Sequence, residues 1–290
     1  MSASPDLERT IRTFSSVEDI VNAMKAYAGV TIKRTEEMVR AVRAYEEQVL
    51  RALAAVAGED PGLLVSERRG GRILVVFGSS QGLCGPLNER VADVLRSELS
   101  AGDSLLVVGR RLKAAAEARG LAVTDFSESI VSVSGIRPAL ERTIAWILER
   151  YRRGGAYTLT FLFTSVSGQR AETVQERILP PNLGQFAGRG AAGTPPLRYL
   201  EESEIFEGAL RELIAIGLYR ALAETLRSEN WYRMRVLEGA TENLKRRIAD
   251  LGSQRNYQRQ EEITEEMLEI LSSGGFYARG PERAAATPFD

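Results

Sequence analysis

Two long stretches without proline constrain this chain of 290 residues more than any other feature. The first runs from Pro5 to Pro61 and the second from Pro196 to Pro281. Because proline interrupts a helix interior, such gaps favour long helices. In the first gap apolar residues recur at 3-4 spacing, which predicts a helix from Ser16 to Ala57 of roughly 60 Å. The predicted apolar stripe consists of Val17, Ile20, Met24, Tyr27, Thr31, Met38, Val42, Tyr45, Val49 and Val56.

The second gap keeps a helical apolar period from about Glu204 to Leu271. One helix of that length would measure roughly 100 Å, about three times the diameter of a small domain, so this chain alone could not bury it. Glycine costs about 1 kcal/mol against alanine inside a helix, so Gly239 and Gly252 leave open two or three shorter helices in a bundle. Two long helices at opposite ends of a chain can share an apolar seam only by winding on each other antiparallel.

Between the gaps the period changes, and strands alternate with helices. We expect strands at 72–77, 104–108, 121–126 and 157–164, with a further strand near 173–178 in a loop-rich region. This alternation is typical of βα units on a mostly parallel sheet. The predicted class is α/β, with an antiparallel coiled coil of long N- and C-terminal helices and a Rossmann-like α/β domain inserted between them. The predicted divisions are 1–60, 61–200, 201–275 and a flexible tail, 276–290.

Composition excludes many kinds of active site. The chain has no histidine and one cysteine, so histidine-dependent triads, histidine-ligated metals and intrachain disulfides are excluded. Lysine and arginine total 38 against 39 aspartate and glutamate, a balance that argues against nucleic acid as a partner. The N-terminus lacks the apolar stretch of a signal peptide, and no apolar run is long enough to cross a bilayer. We therefore expect no direct membrane insertion.

A glycine-rich turn, residues 77–85, follows the first predicted strand. This is where a dinucleotide or a phosphate sits in related folds. The turn matches neither of the two phosphate-binding glycine patterns, and no lysine follows it. Cys84 lacks a histidine base, so a packed thiol is the simpler interpretation. A tight structural turn is favoured, and a nucleotide-binding α/β enzyme stays open as an alternative.

Charge is segregated along the second long helix. Residues 227–259 contain eight basic and four acidic side chains. Five glutamates then follow without a basic residue, namely Glu261, Glu262, Glu265, Glu266 and Glu269. Segregated charge on a helix too long to bury itself indicates a partner with complementary charge, although a solvated face is the simpler reading.

Local sequences in a fixed order resemble the gamma subunit of F-type ATP synthases from about Leu7 to Gly275. The matching pieces are Gly82-Leu83-Cys84-Gly85, Ser228-Glu229, Arg233-Met234, Ala240-Thr241-Glu242-Asn243, Arg259-Gln260 and Ile263-Thr264. The chain resembles a divergent member. Ser79-Ser80-Gln81 stands where the family usually has Ser-Asp-Arg, and Trp231 and Tyr232 replace small or polar residues, which would thicken the helix.

The resemblance implies a non-catalytic rotor shaft, the central stalk that couples ion translocation to ATP synthesis or hydrolysis at alpha/beta interfaces. Its implied partners are the alpha and beta subunits, the epsilon subunit and the c-subunit ring. No cofactor or metal is implied. The implied location is peripheral, at the cytoplasmic face of the bacterial plasma membrane. A coiled-coil scaffold paralogue outside the rotary complex is the remaining alternative.

The resemblance also implies six contacts with the beta subunit. Arg259 and Gln260 match the pair that meets a catch loop. Thr264 and Glu266 fall where residues of the family affect coupling. Met24 and Lys25 lie in the segment of the first helix close to the beta-subunit lever.

Overall fold

The computed structural model describes residues 4–57, 71–153, 156–183 and 199–274. In chain order the helices are α1 (Ser4–Ala57), α2 (Leu87–Glu98), α3 (Arg110–Glu117), α4 (Ile136–Arg152) and α5 (Glu202–Gly274). The strands are β1 (Gly71–Phe77), β2 (Ser104–Val108), β3 (Asp125–Ser127), β4 (Ala156–Ser167) and β5 (Arg170–Leu179), and a short 3₁₀ turn, Val133–Gly135, precedes α4. The predicted tail, 276–290, lies outside the described residues.

Both proline-free gaps contain one uninterrupted helix, of 54 residues in α1 and 73 in α5. Helix α1 begins earlier than predicted and ends at Ala57 as predicted, and α5 extends slightly beyond both of its predicted limits. The alternative of shorter helices is wrong, because Gly239 and Gly252 both lie inside α5. The small cost of a helical glycine does not break a helix whose neighbouring turns are continuous.

The inserted domain is a Rossmann-like sheet in the order β3-β2-β1-β4-β5. The central strand β1 pairs in parallel with β2 and β4, β2 pairs in parallel with β3, and β5 joins β4 antiparallel at the edge. The predicted strand at 121–126 is wrong in its bounds. Leu121 donates its amide to the carbonyl of Ala116, so residues 121–124 complete the exit from α3 and only Asp125–Ser127 pairs as β3. The edge strand β5 is longer than predicted.

Strand β1 carries the core on both faces of the sheet. Ile73, Val75 and Phe77 point into a cluster with α1, α4 and α5. Leu74 and Val76 point into a second cluster with α2 and α3. A strand buried on both faces reads as a continuous apolar run, which is the signal that located it in the sequence.

The chain divides into two compact units, each described by itself. One consists of the residues up to Asn22 together with those from Gly239 onward, and the other of Ala23–Glu238. Within the second unit Arg43 of α1 pairs with Glu224 of α5 at 2.8 Å, and Glu46 pairs with Arg220 at 2.9 Å. Because the later residue of α1 meets the earlier residue of α5, the two helices are antiparallel, as predicted.

The apolar seam of α1 differs from the predicted stripe. Val17, Ile20 and Tyr27 are exposed, and so is Tyr45. The buried residues of α1 are Val21, Ala28, Thr31, Thr35, Val39, Val49, Leu53 and Val56. Threonine hydroxyls are satisfied inside the helix: Thr31 donates to the carbonyl of Tyr27 and Thr35 to that of Thr31. The predicted Thr31, Val49 and Val56 are in the seam, whereas Ala28 and Thr35 are too small or polar to be found by a search for large apolar side chains.

Arg220 of α5 is a buried cation shared by three elements. Its guanidinium lies 2.9 Å from a carboxylate oxygen of Glu46 on α1, and it also pairs with Glu176 on β5. It lies over the ring of Phe163, 5.8 Å from the centroid. Although burial acts to lower the pKa of Arg220, the carboxylates of Glu176 and Glu46 raise it. The cation is therefore fixed by its neighbours in the charged state.

Replacing Arg220 with alanine should lower the free energy of unfolding by about 3 kcal/mol, because Glu46 and Glu176 would lose their buried counter-charge. The matched control is Arg51→Ala, which removes an exposed pair with Glu47 and should cost less than about 0.5 kcal/mol. Urea unfolding followed by circular dichroism measures both. Equal losses in the two variants would contradict a special role for Arg220.

Candidate functional site

The glycine-rich turn after β1 is closed by its own hydrogen bonds. The amide of Gly78 donates to Val108 of β2 at 2.8 Å, and the amide of Ser79 donates to the Asn88 side chain at 2.9 Å. Asn88 in turn donates to the Ser79 hydroxyl at 2.9 Å. A Cβ at Gly78 would lie 2.6 Å from Cβ of Leu112, so only glycine fits this approach of turn and helix.

The amides at the start of α3 are also used within the chain. Arg110 donates its amide to the Ser80 hydroxyl at 3.2 Å, and Arg111 donates its amide to the carbonyl of Ser79 at 3.0 Å. In nucleotide-binding folds such amides face a phosphate. Here the turn itself supplies their acceptors, which supports the interpretation of a structural turn over that of a phosphate cradle.

The far end of the turn packs on α5, within the unit Ala23–Glu238. Cys84 is buried, with its sulfur 3.5 Å from the guanidinium of Arg233. Arg233 also pairs with the buried Glu229 at 2.7 Å. Tyr232 is buried under Gly85 and accepts a hydrogen bond from Arg90 at 3.1 Å. The predicted thickening of the helix is thus wrong for Tyr232, whose ring fills the space beneath the turn.

Burial determines the chemistry of the cysteine at this contact. Burial first, and the nearby Glu229 carboxylate second, raise the pKa of the Cys84 thiol to about 11 in spite of the lowering effect of Arg233. Burial likewise raises the pKa of Glu229, against the lowering effect of Arg233. A thiol with a raised pKa is a poor nucleophile at neutral pH, in agreement with a packing role.

Alkylation of Cys84 by iodoacetamide at pH 8 should be about a hundredfold slower in the folded chain than in urea. The raised pKa lowers the thiolate fraction by that order, and burial slows access further. The rate should rise with pH toward about 11. Mass spectrometry of timed samples measures it, and fast alkylation of folded protein would exclude the packed thiol.

The six side chains predicted to contact a beta subunit lie on the two long helices. Met24 and Lys25 are half-buried on α1. Arg259, Gln260, Thr264 and Glu266 are exposed on α5, and the Thr264 hydroxyl donates to the carbonyl of Gln260. Every residue from Arg259 to Ser272 is exposed, including the large apolar side chains Ile263, Met267, Leu268, Ile270 and Leu271.

The predicted basic stretch of α5 is partly internal. Arg227 lies near Glu36 and Glu224, and Arg233 pairs with Glu229, so these two cations are compensated within the unit Ala23–Glu238. The glutamates of 261–269 are exposed. A charged partner would therefore meet fewer arginines than the sequence suggests.

Sequence reasoning missed the buried charges Arg220 and Glu224. Their signal was present, because both interrupt the apolar run from Leu213 to Leu226. Across the four described ranges, no cluster of acidic or cysteine side chains could hold a metal ion. Within those same ranges no helix is both long and apolar enough to cross a membrane.

Comparison with known proteins agrees with this architecture. A family profile described as ATP synthase matches residues 4–275. The chain belongs to the ATP synthase family. Among curated relatives, the ATP synthase gamma chain of Heliobacterium modesticaldum is 29% identical, covering 97% of this chain and 100% of that protein. The gamma chain of Brucella anthropi is 25% identical, covering 94% and 98%. The resemblance to gamma subunits is therefore confirmed.

Solved structures of this family share the fold. The rotor of the Euglena gracilis mitochondrial ATP synthase matches with a TM-score of 0.61 at 16% identity, covering 90% of this chain and 98% of that chain. The central stalk of the Tetrahymena thermophila mitochondrial enzyme matches with a TM-score of 0.52 at 20% identity, covering 76% and 99%. At these identities the likeness establishes the antiparallel long helices and the inserted α/β domain.

Proposed function

We propose that this chain is the central-stalk subunit of a rotary ATP synthase, a shaft that turns with the c-subunit ring. In this role it holds no catalytic site and no cofactor. It changes the affinities of sites at alpha/beta interfaces by contacting them differently as it rotates, which is what energetic coupling between distant sites requires. The epsilon subunit is its further partner, and the complex lies at the cytoplasmic face of the bacterial plasma membrane.

The observation that carries this proposal is the last part of α5. From Arg259 to Ser272 all side chains are exposed, and five of them are large and apolar. Contiguous exposed apolar side chains mark an interaction surface. This part of α5 combines the basic Arg259 with apolar side chains and many carboxylates. Such a surface suits insertion among the other subunits of an ATP synthase.

Within that surface we assign Arg259 and Gln260 to a catch loop of a beta subunit. Both side chains are exposed, and arginine offers directional, charge-assisted hydrogen bonds to carboxylates. Thr264 and Glu266 lie within the next two turns of the same helix. Met24 and Lys25 of α1 are assigned to the beta-subunit lever. We also propose that the chain divides after residues 60, 200 and 275 into the first long helix, the α/β domain, the second long helix and a tail.

Co-purification tests the proposal as a whole. The tagged full-length chain, expressed in its own cells, should recover alpha and beta ATPase subunits in molar excess over itself, together with epsilon and c. Most of the recovered complex should come from solubilised membranes and not from the soluble fraction. Recovery of the chain without alpha and beta would favour the scaffold alternative.

Replacing Arg259 and Gln260 together with alanine should lower ATP turnover of the assembled complex about tenfold or more. The shaft would lose its charge-assisted hydrogen bonds to the beta subunit, which favour the change of a catalytic site from one affinity state to the next. The matched control is Arg247→Ala, an exposed arginine earlier on the same helix. Turnover is measured by phosphate release, with subunit composition checked by gel. Full turnover in the double variant would remove the assigned role without affecting the assembly result.

A further inference from the structure

A cleft of about 590 Å³ lies between α4 and the third turn of α5, inside the unit Ala23–Glu238. Its volume is in the range of known ligand sites. Among the described residues that line it, apolar side chains dominate, and the two polar ones are both arginines. These lining residues are Ile144, Ile147, Leu148, Arg152, Arg211 and Ile214.

The apolar lining follows from the helical spacing of α4. Ile144, Ile147 and Leu148 are three and four residues apart, so they lie on one face of the helix. Ile147 is fully buried in the core cluster, whereas Leu148 is 40% exposed and Ile214 is half-buried. The cleft therefore reaches from solvent to the core, and an alkyl group placed there would bury apolar surface.

Two exposed arginines stand beside this apolar lining, one on each helix, Arg152 of α4 and Arg211 of α5. Arg211 pairs with Glu207 at 3.1 Å, but both side chains are exposed, and such a surface pair contributes little. A guanidinium can bind a carboxylate by two parallel hydrogen bonds. The cleft is therefore complementary to a ligand with an apolar body and one anionic end.

A row of side chains along α4 continues the apolar surface away from the arginines. Leu140, Ile144, Leu148 and Arg152 are spaced by four residues, so the row is about 18 Å long and has its cation at one end. Leu140 lines a second cleft, of about 250 Å³, which α4 shares with α1 and α5. A linear apolar row with a single charged end matches an alkyl chain with a terminal anion.

We propose that the cleft between α4 and α5 binds a free long-chain fatty acid. The carboxylate meets Arg152 and Arg211. The alkyl chain packs along α4 on Leu148, Ile144 and Leu140. The proposal goes beyond the central-stalk function, and its test uses the full chain alone, so failure here and failure to assemble with alpha and beta are separate results.

Calorimetric titration of the full chain with laurate, below the concentration at which laurate forms micelles, measures the binding. One laurate should bind per chain, and each CH₂ group removed between laurate and octanoate should weaken the binding about fourfold. Dodecyltrimethylammonium has the same tail with a cationic head and should bind at least about tenfold more weakly. Equal binding of the two amphiphiles, or no saturable binding of laurate, would overturn the proposal.

Substitutions separate the cleft from general attraction to the protein surface. Arg152→Glu and Arg211→Glu should each weaken laurate about tenfold, whereas Arg142→Glu, an exposed arginine of α4 outside the cleft, should change it less than about twofold. Leu148→Asp should also weaken laurate about tenfold, because it places a carboxylate against the alkyl chain. Its control is Val131→Asp, at an exposed apolar residue outside the cleft. Circular dichroism checks that each variant folds, and an equal loss in either control would contradict the assignment.

Other occupants of the cleft would give different results. If a second copy of the chain covers it, analytical ultracentrifugation should show a dimer that Leu148→Asp dissociates, and laurate should not bind. If the arginines take a lipid headgroup, vesicles containing phosphatidylglycerol should bind the chain and free laurate should not. Either result would exclude the fatty-acid site.

Discussion

The placement of α1 and of the sheet against α5 depends on one buried cation, Arg220. A guanidinium with so little exposure requires counter-charges, and here they come from two different elements, Glu46 of α1 and Glu176 of β5. Glu46 reaches it across the antiparallel pair of α1 and α5, and Glu176 reaches it from the edge strand β5. One turn farther along α5, the buried Glu224 pairs with Arg43 of α1. This second pair also joins α1 to α5, with the carboxylate on α5 and the guanidinium on α1. The register of the helices in this unit is thus specified by charge.

Apolar contacts leave that register open. The seam of α1 includes Ala28, Thr31 and Thr35, small residues that allow close approach but distinguish poorly between neighbouring alignments. An error of one helical turn would bury Glu224 without Arg43 and Arg220 without Glu46, at a cost of several kcal/mol. The buried charges contribute specificity where the apolar seam is weak. The same division of roles is known from polar residues in coiled-coil seams.

Periodicity in the sequence predicts most of the fold, because helix and strand have different repeats and proline marks the limits of both. It misplaces part of the seam of α1, since Val17 and Ile20 are exposed whereas the small residues Ala28 and Thr35 are buried. It misplaces β3, since the extended-looking residues 121–124 complete the exit from α3. The ion-pair partners of Arg220 could not be predicted from the sequence. Glu46 and Glu176 lie 174 and 44 residues away, and only the folded backbone brings them together. The candidate contacts on α5 came from family resemblance, not from any local chemical signal.

The turn after β1 shows how a nucleotide-binding architecture can serve another purpose. In such folds the amides at this edge face a ligand, and glycine permits the approach. Here the hydrogen bonds between Asn88 and Ser79 close the turn from within. The glycines instead let other side chains come close, Leu112 at Gly78 and Tyr232 at Gly85. The edge of the sheet that could have held a small molecule holds a helix instead. Farther along, the large apolar side chains of α5 between residues 259 and 272 are exposed, and contiguous exposed apolar side chains are typical of an interaction surface.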